Sequence, residues 1–307
     1  MILLCGIPSE SPIAMVRDAL ANLGVPTAVF NQRNFTSNHL DFDLGSHGIS
    51  GSLSIGDQSF DLTEITGAYS RMIDDQTLPE YRNSAPDGPE QQRCRNLHDA
   101  LIHWLEITPA RIVNRCRPMC SNSSKPYQAQ LILQLGFSTP ETLITNEPDL
   151  VREFYARHGR VIYKSISGVR SIVQKLTPSD LDRLDHIRWC PTQFQAFVDG
   201  TNVRVHVVGR EVIATKIETN ATDYRYASRQ GGESELSAID LSDELSERCV
   251  SLAVGLELAF AGIDLKITPE GEVFCFEVNP SPGYTYYENH TGQPIAMALA
   301  RYLSGSH

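Results

Sequence analysis

Near the end of the chain, two segments alternate so regularly that a β-hairpin is the natural way to fold them. Gly262-Ile263-Asp264-Leu265-Lys266-Ile267-Thr268 and Glu272-Val273-Phe274-Cys275-Phe276-Glu277-Val278-Asn279-Pro280 flank Pro269-Glu270-Gly271, and that Pro-x-Gly spacing is the chemistry of a tight turn. Side chains on a strand point alternately to opposite faces. Ile263 and Leu265 therefore share one face and Asp264 takes the other. On the second strand, Cys275, Glu277 and Asn279 are expected on one face, with Phe274, Phe276 and Val278 on the opposite one. Folding brings Asp264 opposite Glu277, to within a residue of register. Two carboxylates so placed repel unless a cation or proton lies between them. With the amide oxygen of Asn279 they make a hard-oxygen set suited to Mg²⁺ that carries nucleotide phosphates. A solvated acidic hairpin face is the competing reading.

A phosphate site in this chain needs its own local cations, because the formal charge is −11. That balance argues against a nucleic-acid partner and against docking on anionic lipid. Lys125 stands at a helix start after Ser123-Ser124, where a cation opposes the helix dipole. A phosphate partner explains it, and so does a side chain turned into water. Lys164 ends the apolar run Val161-Ile162-Tyr163 and precedes Ser165-Ile166-Ser167-Gly168-Val169-Arg170-Ser171, a small-residue loop whose backbone N–H groups suit phosphates. Arg204 lies among valines in 202–208, and an arginine in a buried strand needs an anionic partner, either a ligand or a structural carboxylate. The segment Gln193-Phe194-Gln195-Ala196-Phe197-Val198-Asp199 reads as a core strand and equally as a linker whose backbone reads adenine.

The rest of the chain supplies the frame. Of the 307 residues, 41% are apolar and 21% charged, which is ordinary for a globular protein of two or three small domains. To about residue 115 the pattern is α/β. Strands are expected at 2–5, 27–30 and 68–72. A helix enters at Ser11-Pro12, a hairpin spans 50–62 with its turn at Gly56-Asp57, and a second helix covers 97–107. Residues 73–92 read as a polar surface loop and 115–124 as a linker. Further on come a helix over 126–135, strands at 161–165, 172–175 and 193–198, and a helix near 178–184. A hairpin over 202–219, a polar loop over 220–237, the periodic helix 243–260, the acidic hairpin and a closing helix over 294–303 complete the chain. The six-residue apolar start is too short for a signal peptide, and no run reaches membrane-span length. Seven scattered cysteines without a C-x-x-C pair suggest a reduced, cytoplasmic protein rather than a zinc or disulfide framework.

Taken in order, Val113-Asn114-Arg115, Ser124-Lys125-Pro126-Tyr127-Gln128, Leu135-Gly136-Phe137-Ser138-Thr139-Pro140 and the segments above resemble the ATP-grasp superfamily over roughly residues 112–303. The resemblance points most to the ribosomal-protein glutamate ligases, the glutathione synthetases and the ligases that crosslink microviridin-type peptides (graspetides). It implies an α/β (α+β) ATP-grasp fold: a Rossmann-like pre-ATP-grasp domain over 1–115, then two α+β subdomains, 116–190 and 191–307, that clamp ATP. It implies ATP and Mg²⁺ as cofactors. Lys125 and Lys164 match the nucleotide-binding lysines, with Ser165 and Gly168 in the covering loop. Gln195, Ala196 and Phe197 match the adenine hinge, and Asp199 a ribose contact. Asp264, Glu277 and Asn279 match the magnesium ligands. Arg204 matches the arginine beside the γ-phosphate and acyl phosphate, and Lys216 is assigned to the same cleft. Ala196 stands where a glutamate is common, and Asn279-Pro280-Ser281-Pro282-Gly283 reads like the amino-acid ligases. The implied activity is an ADP-forming carboxylate–amine or carboxylate–hydroxyl ligase working through an acyl phosphate on a peptide, as in the biosynthesis of ribosomally made, modified peptides. The alternatives are a ligase joining amino acids or other small molecules, and a non-catalytic nucleotide-binding protein. The implied partners are a carboxylate-bearing peptide or amino acid and further copies of the chain, in a dimer or tetramer.

Overall fold

The computed structural model describes residues 1–166, 173–219 and 234–306. The first strand, β1 (Ile2–Gly6), is buried along its whole length, which fits a parallel strand covered on both sides. It lies between β2 (Thr27–Asn31) and, further along the chain, β6 (Gly67–Ser70), with β7 (Arg111–Val113) outermost in the parallel order β2-β1-β6-β7. A small antiparallel meander, β3 (Asn38–Gly45), β4 (Gly48–Ile55) and β5 (Gln58–Asp61), is inserted between β2 and β6. Alternation along β1 divides the core. Ile2 and Leu4 join the side of helix α1 (Ser11–Asn22), whereas Leu3 and Cys5 join Trp104 and Leu101.

The expected loop over 73–92 is largely helical. It contains α2 (Pro79–Asn83), and α3 (Pro89–Ile107) starts well before residue 97. Pro89 presets the first helical φ. The early turns escape an apolar pattern because their inward residues include Gln91, which bonds the Tyr81 carbonyl at 2.9 Å. The linker also holds a short helix, α4 (Cys116–Met119).

Next come α5 (Lys125–Gln134), β8 (Thr142–Thr145), α6 (Pro148–His158), β9 (Val161–Ser165), β10 (Gln174–Lys175), α7 (Pro178–Leu181) and β11 (Thr192–Ala196). Their strands form one antiparallel sheet in the order β10-β9-β11-β8. The last sheet is built from β12 (Thr201–Val208), β13 (Glu211–Thr219), β14 (Ser234–Ile239), β15 (Phe260–Ile267) and β16 (Val273–Asn279), ordered β14-β13-β12-β15-β16. The end of the expected 220–237 loop is thus strand, because residues 234–239 complete an edge against β13. Helix α8 (Asp243–Gly255) covers one face of this sheet, where Val203, Val205, Ile263 and Leu265 meet Leu252 and Cys249. The helix stops short of residue 260 because the chain turns at Glu257, which has φ +57°. Helices α9 (Thr285–Thr291) and α10 (Ile295–Ser304) return to α1, closing the N-terminal sheet onto the C-terminal one. Among the described residues no helix is long and apolar enough to cross a membrane.

Candidate active site

On the face of the last sheet turned away from α8, Arg204, Asp264 and Glu277 stand in a row across three strands. Arg204 is the cross-strand partner of Asp264, and Asp264 of Glu277. Residues directly opposite in a sheet share a face and touch. The row exists because the register of β15 on β16 shifts between Asp264 and Leu265. This bulge corrects the expected faces of β16. Leu265 pairs with Cys275, and Cys275 enters the apolar core instead of joining Glu277. The extra residue is Phe276, which lines the cleft beside Glu277. A bulge inserts one residue and reverses the alternation locally, so strict period two gives the wrong face for Cys275.

Each carboxylate in the row has a cation. Arg204 Nη1 donates to Asp264 Oδ1 at 2.7 Å, with the arginine side chain 6% exposed. Lys125, the first residue of α5, contacts Glu277 and also donates to Asn122 Oδ1 at 2.8 Å. Asn279 lies opposite Gly262, on the same face as Glu277, and its Oδ1 accepts the Ser281 N–H at 2.9 Å. Mg²⁺ is commonly held by one or two carboxylates plus substrate phosphates, not by a full protein cage. The donor set, two cross-strand carboxylates with the Asn279 amide on the same face, matches that pattern. Asp264 and Glu277 would hold the ion, with Asn279 as a neutral oxygen donor. Lys125 and Arg204, now neutralising those carboxylates, would be released toward the phosphates.

The row forms one end of a cleft between the two antiparallel sheets, lined by Ile162, Lys164, Gln195, Phe197, Leu265 and Lys266 among others. Lys164 thus reaches the same cleft as Asp264 and Glu277. Ser165 is the exposed last residue of β9, and Gly168 lies outside the described residues. Gln195 is held by β8, its Nε2 donating to Thr142 Oγ1 at 3.0 Å. The Ala196 N–H donates to the Glu141 carbonyl and the Phe197 N–H to that of Arg160, each at 2.9 Å. A base at this hinge would therefore be read by carbonyl oxygens and by the apolar slot. Asp199 is exposed, and its salt bridge to Arg160 at 2.6 Å holds its carboxyl below the usual range. Lys216 is not brought into the row. It pairs across with Val203, on the α8 side of the sheet, and contacts Glu218.

Sequence reasoning missed three contributors. Lys266 lines the cleft, its ammonium 5.4 Å from the centre of the Phe197 ring, and burial lowers its pKa. The signal was available, because Lys266 alternates with Asp264. Gln128, one turn after Lys125, exchanges two hydrogen bonds with the backbone of Val278, at 2.7 and 3.1 Å, and so fastens α5 to the edge strand that carries Glu277. Asn114 donates to the carbonyls of Phe260 and Pro280, both at 2.6 Å, and joins the end of β7 to both strands of the acidic hairpin. No local pattern marks either amide.

Two antiparallel sheets closing on a cleft with a two-carboxylate edge define a nucleotide-dependent ligase class. The chain belongs to the RimK-like ATP-grasp family, whose domain model matches residues 122–303. It is an ATP-grasp ligase. Among curated proteins, a probable alpha-L-glutamate ligase of Vibrio atlanticus is 23% identical over 216 residues, 66% of this chain and 70% of that protein. Another, from Methanococcoides burtonii, is 27% identical over 219 residues, 67% of this chain and 71% of its own. Among solved structures, the ATP-grasp ligase PsnB, complexed with a phosphomimetic variant of its minimal precursor, Mg and ADP, matches with a TM-score of 0.79. That match has 27% identity over 99% of this chain and 98% of that one. A RiPP-associated ATP-grasp ligase of Chryseobacterium gregarium, in complex with ADP and a leader and core peptide, shares the fold with a TM-score of 0.83. It is 20% identical over 100% of this chain and 97% of that one.

Proposed function

We propose that this ligase acts on a peptide, using ATP to activate a side-chain carboxylate as an acyl phosphate and passing the acyl group to an amine or hydroxyl. The observation that carries the reading is the row Arg204–Asp264–Glu277–Lys125, which pairs two cations with two anions, and both anions line the cleft that Lys164 also lines. The substrate carboxylate attacks the γ-phosphorus, and ADP leaves. Lys164, Lys125 and Arg204 offset charge on the transferring group; Asp264 and Glu277 would hold Mg²⁺, which would supply Lewis-acid stabilisation there. In the second step the acceptor attacks the acyl carbon and phosphate departs, with Arg204 as donor to the tetrahedral oxyanion. A peptide substrate is supported by full-length likeness to PsnB, which is itself complexed with a precursor.

Mass spectrometry of a precursor peptide encoded beside the gene, incubated with enzyme, ATP and Mg²⁺, tests this. Loss of one water per bond formed, with equimolar ADP, is expected. Unchanged peptide alongside ADP formation from L-glutamate and a peptide C-terminus would instead favour an amino-acid ligase. The similarity to the alpha-L-glutamate ligases and the Asn279–Gly283 segment give that second reading its support.

A further inference from the structure

A second cavity, about 400 Å³, opens beyond the carboxyl ends of β6 and β7. In open α/β sheets this edge is where ligands settle. Arg71 and Ser70 line it from the N-terminal sheet, Ser281 from the loop after β16, and Asn114 and Ile102 from the sides. Arg71 Nη1 donates to the Pro282 carbonyl at 3.1 Å. Its Nε is buried and makes no well-formed hydrogen bond among the described residues; the Tyr69 hydroxyl, likewise buried, is the neutral group beside the guanidinium. A buried donor on a guanidinium left unmatched is costly, and a carboxylate is the partner whose geometry fits it.

The cavity adjoins the carboxylate row. Ser281, on its wall, donates its N–H to Asn279. Pro282, which takes the Arg71 hydrogen bond, also lies against the metal-side arginine: a Cβ built on Gly262 would be 2.6 Å from Pro282 Cβ and 2.3 Å from Arg204 Nη2. Pro282 thus links the two arginines: its carbonyl takes the Arg71 hydrogen bond, and its ring lies beside Gly262 together with Arg204. Glu10 and Asp74 also line the cavity; they penalise any anion there, and a polyanion such as phosphate more than a single carboxylate. Asp74 is exposed and already accepts the Gln76 N–H at 3.0 Å.

We propose that this cavity seats the carboxylate-bearing group of the substrate, and that Arg71 grips its carboxylate next to the phosphate end of the cleft. The inference rests on the ligase reading above. The carboxylate comes either from an acidic side chain in a peptide or from a free amino acid.

The test is calorimetry on the ADP·Mg²⁺-loaded protein with two probes, N-acetyl-L-glutamate α-amide for the peptide side chain and L-glutamate for the free amino acid. One probe should bind, and Arg71→Gln should weaken it about tenfold or more while ADP·Mg²⁺ affinity stays at the wild-type value. Arg71→Lys, which keeps the charge and can still reach Pro282, should give an intermediate loss and guards against misfolding of the glutamine variant. A crystal of the complex should place the carboxylate on Arg71. Equal probe affinity in wild type and Arg71→Gln, binding elsewhere, or no binding of either probe to nucleotide-loaded protein would overturn the inference and leave the ligase reading standing. Failure to bind ADP·Mg²⁺ at all would instead sink the ligase reading.

Discussion

Two antiparallel hairpins in this chain carry carboxylates at alternating positions, and the two meet different fates. On β3, Asp41 and Asp43 are exposed, and Asp41 accepts the Ser52 hydroxyl at 3.1 Å. On β15 and β16, Asp264 and Glu277 are 20% and 19% exposed and are paired with Arg204 and Lys125. The β3–β5 meander buries Leu53 against the N-terminal core while its other side meets water. The C-terminal hairpin has α8 beneath it and a second sheet across the cleft. Alternation states which residues share a face, whereas the layers packed on that face decide whether its charges are solvated or matched.

The sharpest way to break this comparison is to neutralise one acid in each hairpin. Asp264→Asn removes a proposed metal ligand and the charge of the carboxylate that Arg204 Nη1 bonds. ADP release is expected to fall roughly 100-fold or more, since even indirect partners of a metal site cost 10–100-fold. Asp43→Asn should leave the rate unchanged and shift stability by no more than about 0.5 kcal/mol. Equal rates for the two variants would remove the basis for treating the row as the site.

A methyl group gives the next test. In Gly262→Ala the new Cβ falls 2.3 Å from Arg204 Nη2, in a central strand whose backbone has little room to give. Displacing a catalytic group by about 1 Å can cost 10²-fold, so kcat should drop by about that factor with the KM for ATP little changed. Gly45→Ala, at the end of β3 with nothing within 4 Å of the added carbon, should be silent. Steady-state kinetics decide it, and a Gly262→Ala enzyme with wild-type kcat would show that Arg204 can move freely.

How far the site was legible follows from the range of each signal. The pairing of Asp264 with Glu277, the strand position of Arg204 and the helix start at Lys125 are local facts, and each stands in the structure as the pattern implied. The bulge at Phe276 was not readable, because one inserted residue leaves the run of residue types intact while reversing its faces. The first half of α3 was hidden because Gln91 and Cys94, rather than large apolar residues, face inward there. Asn114 and Arg71 act on segments more than 140 positions away, and no spacing rule reaches that far. Lys266 is legible by the same alternation, two residues along β15 from Asp264.

The smallest effect expected belongs to His206, two residues along β12 from Arg204 on the same face. It is fully buried between Phe260, at 6.1 Å, and Tyr287, at 5.0 Å, and neither ring nitrogen has a hydrogen-bond partner among the described residues. Burial first, and then the Arg204 charge, hold its pKa well below the ordinary histidine value. The unfolded chain takes up this proton below about pH 6.5, whereas the folded chain does not. The unfolded state thus binds more protons below that pH, and stability falls as pH falls, by up to about 1.4 kcal/mol per unit. Above pH 6.5 the contribution is fully present. His206→Phe removes the titration and the unmatched ring nitrogens together, so urea midpoints at pH 7.5 and 5.5 should lie closer together than in wild type. The same substitution at His39, exposed on β3, is expected to move either midpoint by no more than about 0.5 kcal/mol. If wild type and His206→Phe lose stability in parallel between those two pH values, His206 is not the group responsible, and this face of β12 tolerates a proton despite its burial.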